Sequence, residues 1–284
     1  MSVLHYIKTK EPINFVLLQK IIERTLADVL YEQRSEKLCY FWIDGASTRG
    51  VDVSLERENW VEIRNTSFSN HADYKLTNEL VSSICNLYKG EIYKENDDYD
   101  EDEDHSEEYI KTQQPIFSQD KWQDNLVQDA STMRIMIGQL HQTMTLFGPV
   151  RKTHFGINFI NSFQEKTDQE LAEIMENYCL NVNYNLPEYD YGNVMEAGEG
   201  DEAKIVKLIT NEVNCIIDKY DYLLFSKSEN QIIAVTNDDL NNILPKSWQR
   251  VDEYTIVAPI LADSDFQNLI TKAEKYNKIE ELVN

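Results

Sequence analysis

The stretch Cys39-Tyr40-Phe41-Trp42-Ile43-Asp44, Gly45-Ala46-Ser47-Thr48-Arg49-Gly50, Val51-Asp52-Val53-Ser54-Leu55 decides the fold class of this chain. Two runs of β-branched and aromatic residues flank a short polar loop bounded by glycines, the pattern of a β-hairpin with a loop longer than the tightest type. Val51, Val53 and Leu55 alternate with Asp52 and Ser54, so one face of this strand is buried and the other is polar.

Upstream, Pro12 suits a first helical turn. Phe15, Leu18, Ile22, Leu26 and Val29 recur at spacings of three and four, with Leu17, Ile21 and Leu30 widening the stripe. A helix is therefore expected over 12–33. Downstream, Trp60–Thr66 reads as a third strand. Leu76, Leu80, Ile84 and Leu87 mark a helix capped by Asp73 or Thr77 and stopped by Gly90, and Glu91–Lys94 reads as a fourth strand. A long helix is expected over 119–142 from Trp122, Leu126, Ala130, Met133, Ile137 and Leu140. Met144–Phe159 should give strand, turn and strand around Pro149.

In the second half, Thr167 and Glu170 form a capping box before Leu171, Ile174, Met175 and Tyr178. Residues 181–200 read as a long loop. A helix is expected over 201–219 from Ile205, Leu208, Ile209, Val213 and Ile216. A hairpin (Tyr220–Ser226 with Gln231–Thr236), a short helix before Pro245, a strand at Tyr254–Ala258 and a last helix boxed by Ser264 and Gln267 complete the chain. Hairpins dominate and no regular βαβ alternation occurs, so the fold class is α+β with largely antiparallel sheets. Both halves run long helix, hairpin, helix and strand, which raises an internal duplication with domains at 1–162 and 163–284.

Composition narrows the function. The 284 residues carry 50 acidic and 27 basic side chains, a formal net charge of -23. Such a chain is poorly suited to neutralising nucleic-acid phosphates or approaching an anionic membrane surface. No run of apolar residues is long enough to span a bilayer, and the start MSVLHYIKTKEPINF has no secretory-signal pattern. Cys39, Cys85, Cys179 and Cys215 are widely spaced, with no C-x-x-C pair, and suit reduced thiols of a cytoplasmic protein.

Residues 96–108 hold nine acids and no Lys or Arg, leaving the remainder of the chain at -14. Self-repulsion makes this run a solvated loop. Placed on a calcium loop it puts Glu101 where glycine is needed, so no metal is assigned. As a functional element, Asp97, Asp98, Asp100, Glu101, Asp102, Glu103 and Asp104 would steer a basic partner. Tyr184, Tyr189 and Tyr191 in the polar loop offer aromatic contact area for the same purpose, or pack that loop onto its own domain.

Arg151, Lys152 and His154 are the opposite anomaly, a basic cluster beside Gly148-Pro149 and Gly156. They form a candidate anion site, unless neighbouring carboxylates neutralise them. His71 with Asp73 could serve acid–base chemistry, but Asn, Ser and Asp there also suit a helix cap. Gly198-Glu199-Gly200 before Asp201 lacks the rest of a dinucleotide fingerprint, and no P-loop, nucleophile-elbow or kinase signature occurs. No cofactor is expected.

The leading expectation is a non-enzymatic protein that binds a basic protein, in an inhibitory, immunity-like role. Two others stand beside it: an enzyme assembled from segments around Arg49, His71 and Arg151, and a structural or regulatory module of a larger assembly.

Overall fold

The computed structural model describes residues 2–95, 108–112, 121–192, 194–198, 203–228 and 231–283. Its first half contains β1 (Val3–Lys8), α1 (Phe15–Thr25), β2 (Val29–Gln33), β3 (Leu38–Ile43), β4 (Val51–Ser54), β5 (Trp60–Asn65), α2 (His71–Tyr88), β6 (Glu91–Glu95), β7 (Tyr109–Lys111) and α3 (Trp122–Leu140). A short hairpin, β8 (Met144–Phe147) with β9 (Lys152–Phe155), leads to α4 (Ile157–Ser162) and α5 (Asp168–Leu180), which continues as a π-helical turn over Asn181–Asn185.

Strands β1 to β7 form one sheet in the order β2-β3-β4-β5-β1-β6-β7, and every pairing in it is antiparallel. The period-two pattern read at Val51–Leu55 sets the sheet's inner face. Phe41 pairs with Val51, Cys39 with Val53, Val53 with Ile63, and Ile7 with Val61 and Ile92. Phe15, Leu18 and Ile22 of α1, with Leu76, Leu80 and Ile84 of α2, cover that face and complete the core.

The helix expected over 12–33 is two elements. Asn14, not Pro12, caps α1, accepting from the Leu17 N–H at 3.1 Å. The chain leaves the helix after Thr25, and Asp28 takes a left-handed conformation (φ 61°). Val29–Gln33 then pairs with β3 as an edge strand, a place that suits the β-branched and aromatic side chains of a Val-Leu-Tyr run and pairs one side of its backbone. Leu30, assigned to the helical stripe, is consequently exposed. Strand β1 carries His5 where alternation would ask for an apolar residue, and so gave no clear strand signal. It nevertheless lies between β5 and β6.

Asn70 caps α2 in a reciprocal box with Asp73, so the helix-cap reading of the residues around His71 holds, and the cap lies before Asp73 and Thr77, the positions expected from the apolar stripe. Lys89, in the left-handed region, ends the helix just before Gly90. The box at Thr167 and Glu170 is present at the start of α5.

Two compact units account for the chain: 1–153 with 160–185, and 154–159 with 186–284. Helix α5 belongs to the first because it packs on α3, and Arg134 of α3 pairs with Asp168 of α5 at 3.0 Å. A cut at 162/163 therefore falls inside the first unit.

The second unit holds β10 (Val194–Ala197), β11 (Lys204–Ile209), β12 (Cys215–Ile217), β13 (Tyr222–Ser228), β14 (Gln231–Val235), α6 (Asn237–Asn241), β15 (Gln249–Arg250), β16 (Ile256–Ala258), α7 (Asp263–Ala273) and α8 (Ile279–Val283). Its sheets run β10-β11-β13-β14 and β12-β16-β15.

The helix expected over 201–219 is replaced by strands β11 and β12. Ile205 and Val213, two members of its supposed apolar stripe, are exposed, whereas Val206 and Ile209 are buried. The turn between the strands is held by Asn211 and Asn214, whose side-chain oxygens accept from the Leu261 and Ile260 N–H groups, each at 2.8 Å. Strands β11 and β13 pair in parallel, joined by a crossover that contains β12. Within the loop read over 181–200, β10 forms by pairing with β11.

Helix α7, expected as the last one but followed by α8, begins at Asp263 without a side-chain cap, so the box read at Ser264 and Gln267 is absent. The overall class is α+β with mostly antiparallel sheets. The rhyme between the halves does not extend to topology. One sheet is an antiparallel set of seven strands, and the other unit contains a parallel pair and a separate three-stranded sheet.

Candidate functional site

The same alternation that buries one face of the seven-stranded sheet sets a different residue class on the other. Strand β5 turns Val61 and Ile63 inward, and so places Trp60, Glu62 and Arg64 outward. Register extends the outward set: Tyr6 lies opposite Glu62 and Tyr93, Lys8 opposite Trp60, Asp52 opposite Tyr40 and Arg64, and Glu95 opposite Tyr109. Among the described residues, the helices that complete this sheet's core lie on the opposite face.

The aromatic groups touch one another. Tyr6 and Tyr109 are 4.7 Å apart by ring centroid, Trp60 is 5.0 Å from Tyr93 and 5.2 Å from Tyr109, and Tyr40 is 5.4 Å from Trp42. Cations of the same chain stand over these rings: Arg34 at 3.8 Å from Tyr40, Arg57 at 4.9 Å from Trp60 and 5.4 Å from Tyr109, and Lys8 at 5.6 Å from Trp60.

Carboxylates crowd the same surface. Tyr6 donates its hydroxyl to Glu95 at 2.6 Å. Partial burial pushes the Glu62 carboxyl above its usual range, and the negative charges of Glu95 and Asp52 add to the effect against the pull of Arg64. Asp52 is raised chiefly by burial, with Arg34, Arg64 and Arg49 opposing. Arg34 reaches Asp52 at 3.3 Å. The face thus sets flat π surfaces beside both carboxylates and cations.

At one end of the sheet, Asp73 organises the loop after β3. Its carboxylate accepts from the Thr48 hydroxyl at 3.0 Å and from the N–H groups of Arg49 (3.1 Å), Gly50 (2.9 Å) and Asn70 (3.0 Å). Gly50 is required here. Its φ is +67°, and a Cβ would lie 2.5 Å from the Tyr40 ring. Tyr184 donates to the Ser47 carbonyl at 2.8 Å, so this tyrosine fastens its own segment to the first unit. Tyr189 and Tyr191 are half-buried in the second unit.

The basic cluster is dispersed. Arg151 donates to the carbonyls of Val182 (3.3 Å) and Asn183 (3.0 Å), while the N–H groups of Val150 and Arg151 both donate to the Asn183 side-chain oxygen at 3.0 Å. Lys152 lies over the Phe147 ring at 5.4 Å. His154 is buried, with Nε2 2.5 Å from Asp218 Oδ1 and its N–H donating to Asp252 at 2.9 Å. His71 is exposed at the start of α2, edge-on to Trp122 at 5.7 Å. A cavity of about 420 Å³ is lined by Arg49 but by neither His71 nor Arg151. Asp97, Asp98, Asp100, Glu101, Asp102, Glu103 and Asp104 lie outside the described residues, as do Glu199, Gly200 and Asp201.

Sequence reading overlooked the outward aromatic set. Its signal was the Trp60-x-Glu62-x-Arg64 alternation, but Tyr6, Tyr93 and Tyr109 join it only through strand pairing.

Among the described residues no cluster of His, Cys, Asp and Glu is arranged to hold a metal ion, and no helix is long and apolar enough to cross a membrane. The described cysteines are free thiols. No curated protein and no solved structure matches the chain. One family model does, over residues 3–185, a span that ends where the first compact unit ends and takes in the whole seven-stranded sheet. The chain accordingly belongs to the family described as a domain of unknown function, DUF4299.

Proposed function

We propose that this protein binds a basic protein partner, and that the outward face of the seven-stranded sheet is the surface that receives it. The observation carrying this reading is that Arg34, Arg57 and Lys8 already stack on the Tyr40, Trp60 and Tyr109 rings, next to the carboxylates Asp52, Glu62 and Glu95. Guanidinium and ammonium groups from a partner meet the same chemistry. An aromatic ring contributes about 0.5–2 kcal/mol per stacked cation, and the adjacent carboxylates select for positive charge. The formal charge of -23 supplies long-range attraction that accelerates encounter with a cationic protein and weakens with salt. An inhibitory, immunity-like role is consistent with this mode of binding. Aromatic residues are also enriched among the side chains that anchor protein interfaces.

The test uses nona-arginine peptide as a probe, with nona-glutamate as control, read by tryptophan fluorescence and calorimetry. Saturable binding of the cationic peptide that weakens at least tenfold in Trp60→Ala and in Glu62→Gln, and steeply with salt, is expected. Affinity in both variants equal to that of the natural protein would remove the sheet face from the reading. Deleting residues 96–108 separates the contribution of the acidic run, which should alter the association rate more than the dissociation rate.

A further inference from the structure

The cavity of about 420 Å³ beside Arg49 lies within the first unit and has the size and mixed lining of a small-molecule site. Two guanidinium groups reach it, Arg49 from the loop after β3 and Arg64 from β5, and Met133, Met136 and Met144 supply an apolar wall. Arg49 donates Nε to the Thr66 hydroxyl at 3.1 Å, yet its Nη1 is buried with no hydrogen-bond partner among the described residues. Arg64 donates to the Ser2 hydroxyl at 3.2 Å. Neither arginine has a carboxylate within ion-pair distance among the described residues. The carboxylate that lines the cavity, Asp129, is engaged by the Phe68 N–H at 2.9 Å.

A buried guanidinium donor left without an acceptor is costly. Here the cost falls in a chain where acids outnumber bases almost two to one, so counter-charge is not scarce. We infer that this cavity binds a small amphipathic organic anion, its carboxylate or phosphate head between Arg49 and Arg64 and its apolar body along the three methionines. Arg49 offers a planar fork suited to a two-oxygen head group, with the Thr66 hydroxyl holding that fork in place. Methionine side chains adapt to apolar bodies of varied shape, so the tail is selected for size more than outline. Burial also pulls the Arg49 pKa below its ordinary value, which a bound anion would reverse.

The experiment titrates the whole protein with octanoate and with octyl phosphate, by calorimetry and thermal unfolding. Octanol, inorganic phosphate and octyltrimethylammonium are the controls. Both anions should bind saturably and raise the unfolding temperature, and the neutral and cationic tails should do neither. Inorganic phosphate should bind at least tenfold more weakly than octyl phosphate. Arg64→Gln and Met136→Trp, both at positions with room to change, should each weaken binding at least tenfold while leaving circular dichroism unaltered. Absence of saturable anion binding overturns the assignment, as does equal binding of octanol or octyltrimethylammonium, or anion binding that ignores both substitutions. Comparing the two head groups shows whether the site prefers carboxylate or phosphate.

Discussion

Acidification should destabilise this protein through one residue, His5. The side chain lies on the inner face of β1, opposite Ile63, and is fully excluded from solvent. Burial lowers its pKa from 6.5 to about 4, because imidazolium loses its hydration there. Above pH 6.5 the ring is neutral whether folded or unfolded, and contributes no pH dependence. As pH falls from 6.5 towards 4, the unfolded chain gains a proton that the folded one refuses, so stability drops by about 1.4 kcal/mol per pH unit. Over the whole range between these two values the loss amounts to about 3 kcal/mol. That is a large part of a typical stability of about 5–15 kcal/mol.

Urea unfolding followed by tryptophan fluorescence at several pH values, for the natural protein and His5→Leu, isolates the effect. Carboxylates such as Asp52 and Glu62 also titrate in this range, but they do so in both proteins and cancel in the difference. The stability of the natural protein relative to His5→Leu should fall by about 2–3 kcal/mol between about pH 7.5 and 4.5. Two profiles running parallel within about 0.5 kcal/mol would mean that folded His5 takes up its proton as readily as unfolded His5. The argument from burial would then be refuted.

Asp73→Ala should cost about 3–5 kcal/mol in urea unfolding, since it removes the returning half of the α2 capping box and strips buried N–H groups of Arg49, Gly50 and Asn70 of their acceptor. Gly50→Ala should cost about 2–4 kcal/mol, from its left-handed backbone and the overlap with Tyr40, and calorimetry should record the lowered unfolding temperature. Tyr184→Phe, which deletes the hydrogen bond to Ser47, should lose about 1 kcal/mol by chemical denaturation. Lys207 should behave in the opposite sense. Its ammonium is buried without a hydrogen-bond partner among the described residues, and burial lowers its pKa. Its folded pKa lies below the unfolded one, so stability rises with pH between those two values. Lys207→Met should therefore stabilise the protein at neutral pH by about 1–3 kcal/mol and flatten that rise.

How far the sequence carried depended on the range of the interaction involved. Hairpins formed by neighbours in sequence were legible, as in Leu38–Ser54 and Tyr222–Val235, because alternation and a short loop specify both strands and their partner. The helices α2, α3 and α5 were legible from their apolar stripes, and the box at Thr167 and Glu170 from two residues. The stretch Lys204–Ile217 was not. Its apolar spacing suits a helix as well as a strand, and pairing with β13 and β16, supplied by later residues, settles the matter. Strand β1 failed for a related reason, since its place between β5 and β6 is a property of the closed sheet and not of Val3–Lys8 alone.

The candidate surfaces follow the same division. Charge is a sum over residues, so the acidity of the chain and its attraction for basic partners are fixed by composition. Proximity is not. The sequence grouped Arg151, Lys152 and His154, and folding gave them three different partners: backbone carbonyls, the Phe147 ring and Asp218. It scattered Tyr6, Trp60, Tyr93 and Tyr109, and strand register set them side by side. It kept Arg49 apart from Arg64 and the methionines of α3, and the sheet with its helices closed them round one cavity. Local propensity determined most of the elements. Only the pairing of strands distant in the chain decided which side chains share a surface, because that pairing fixes which residues lie opposite one another.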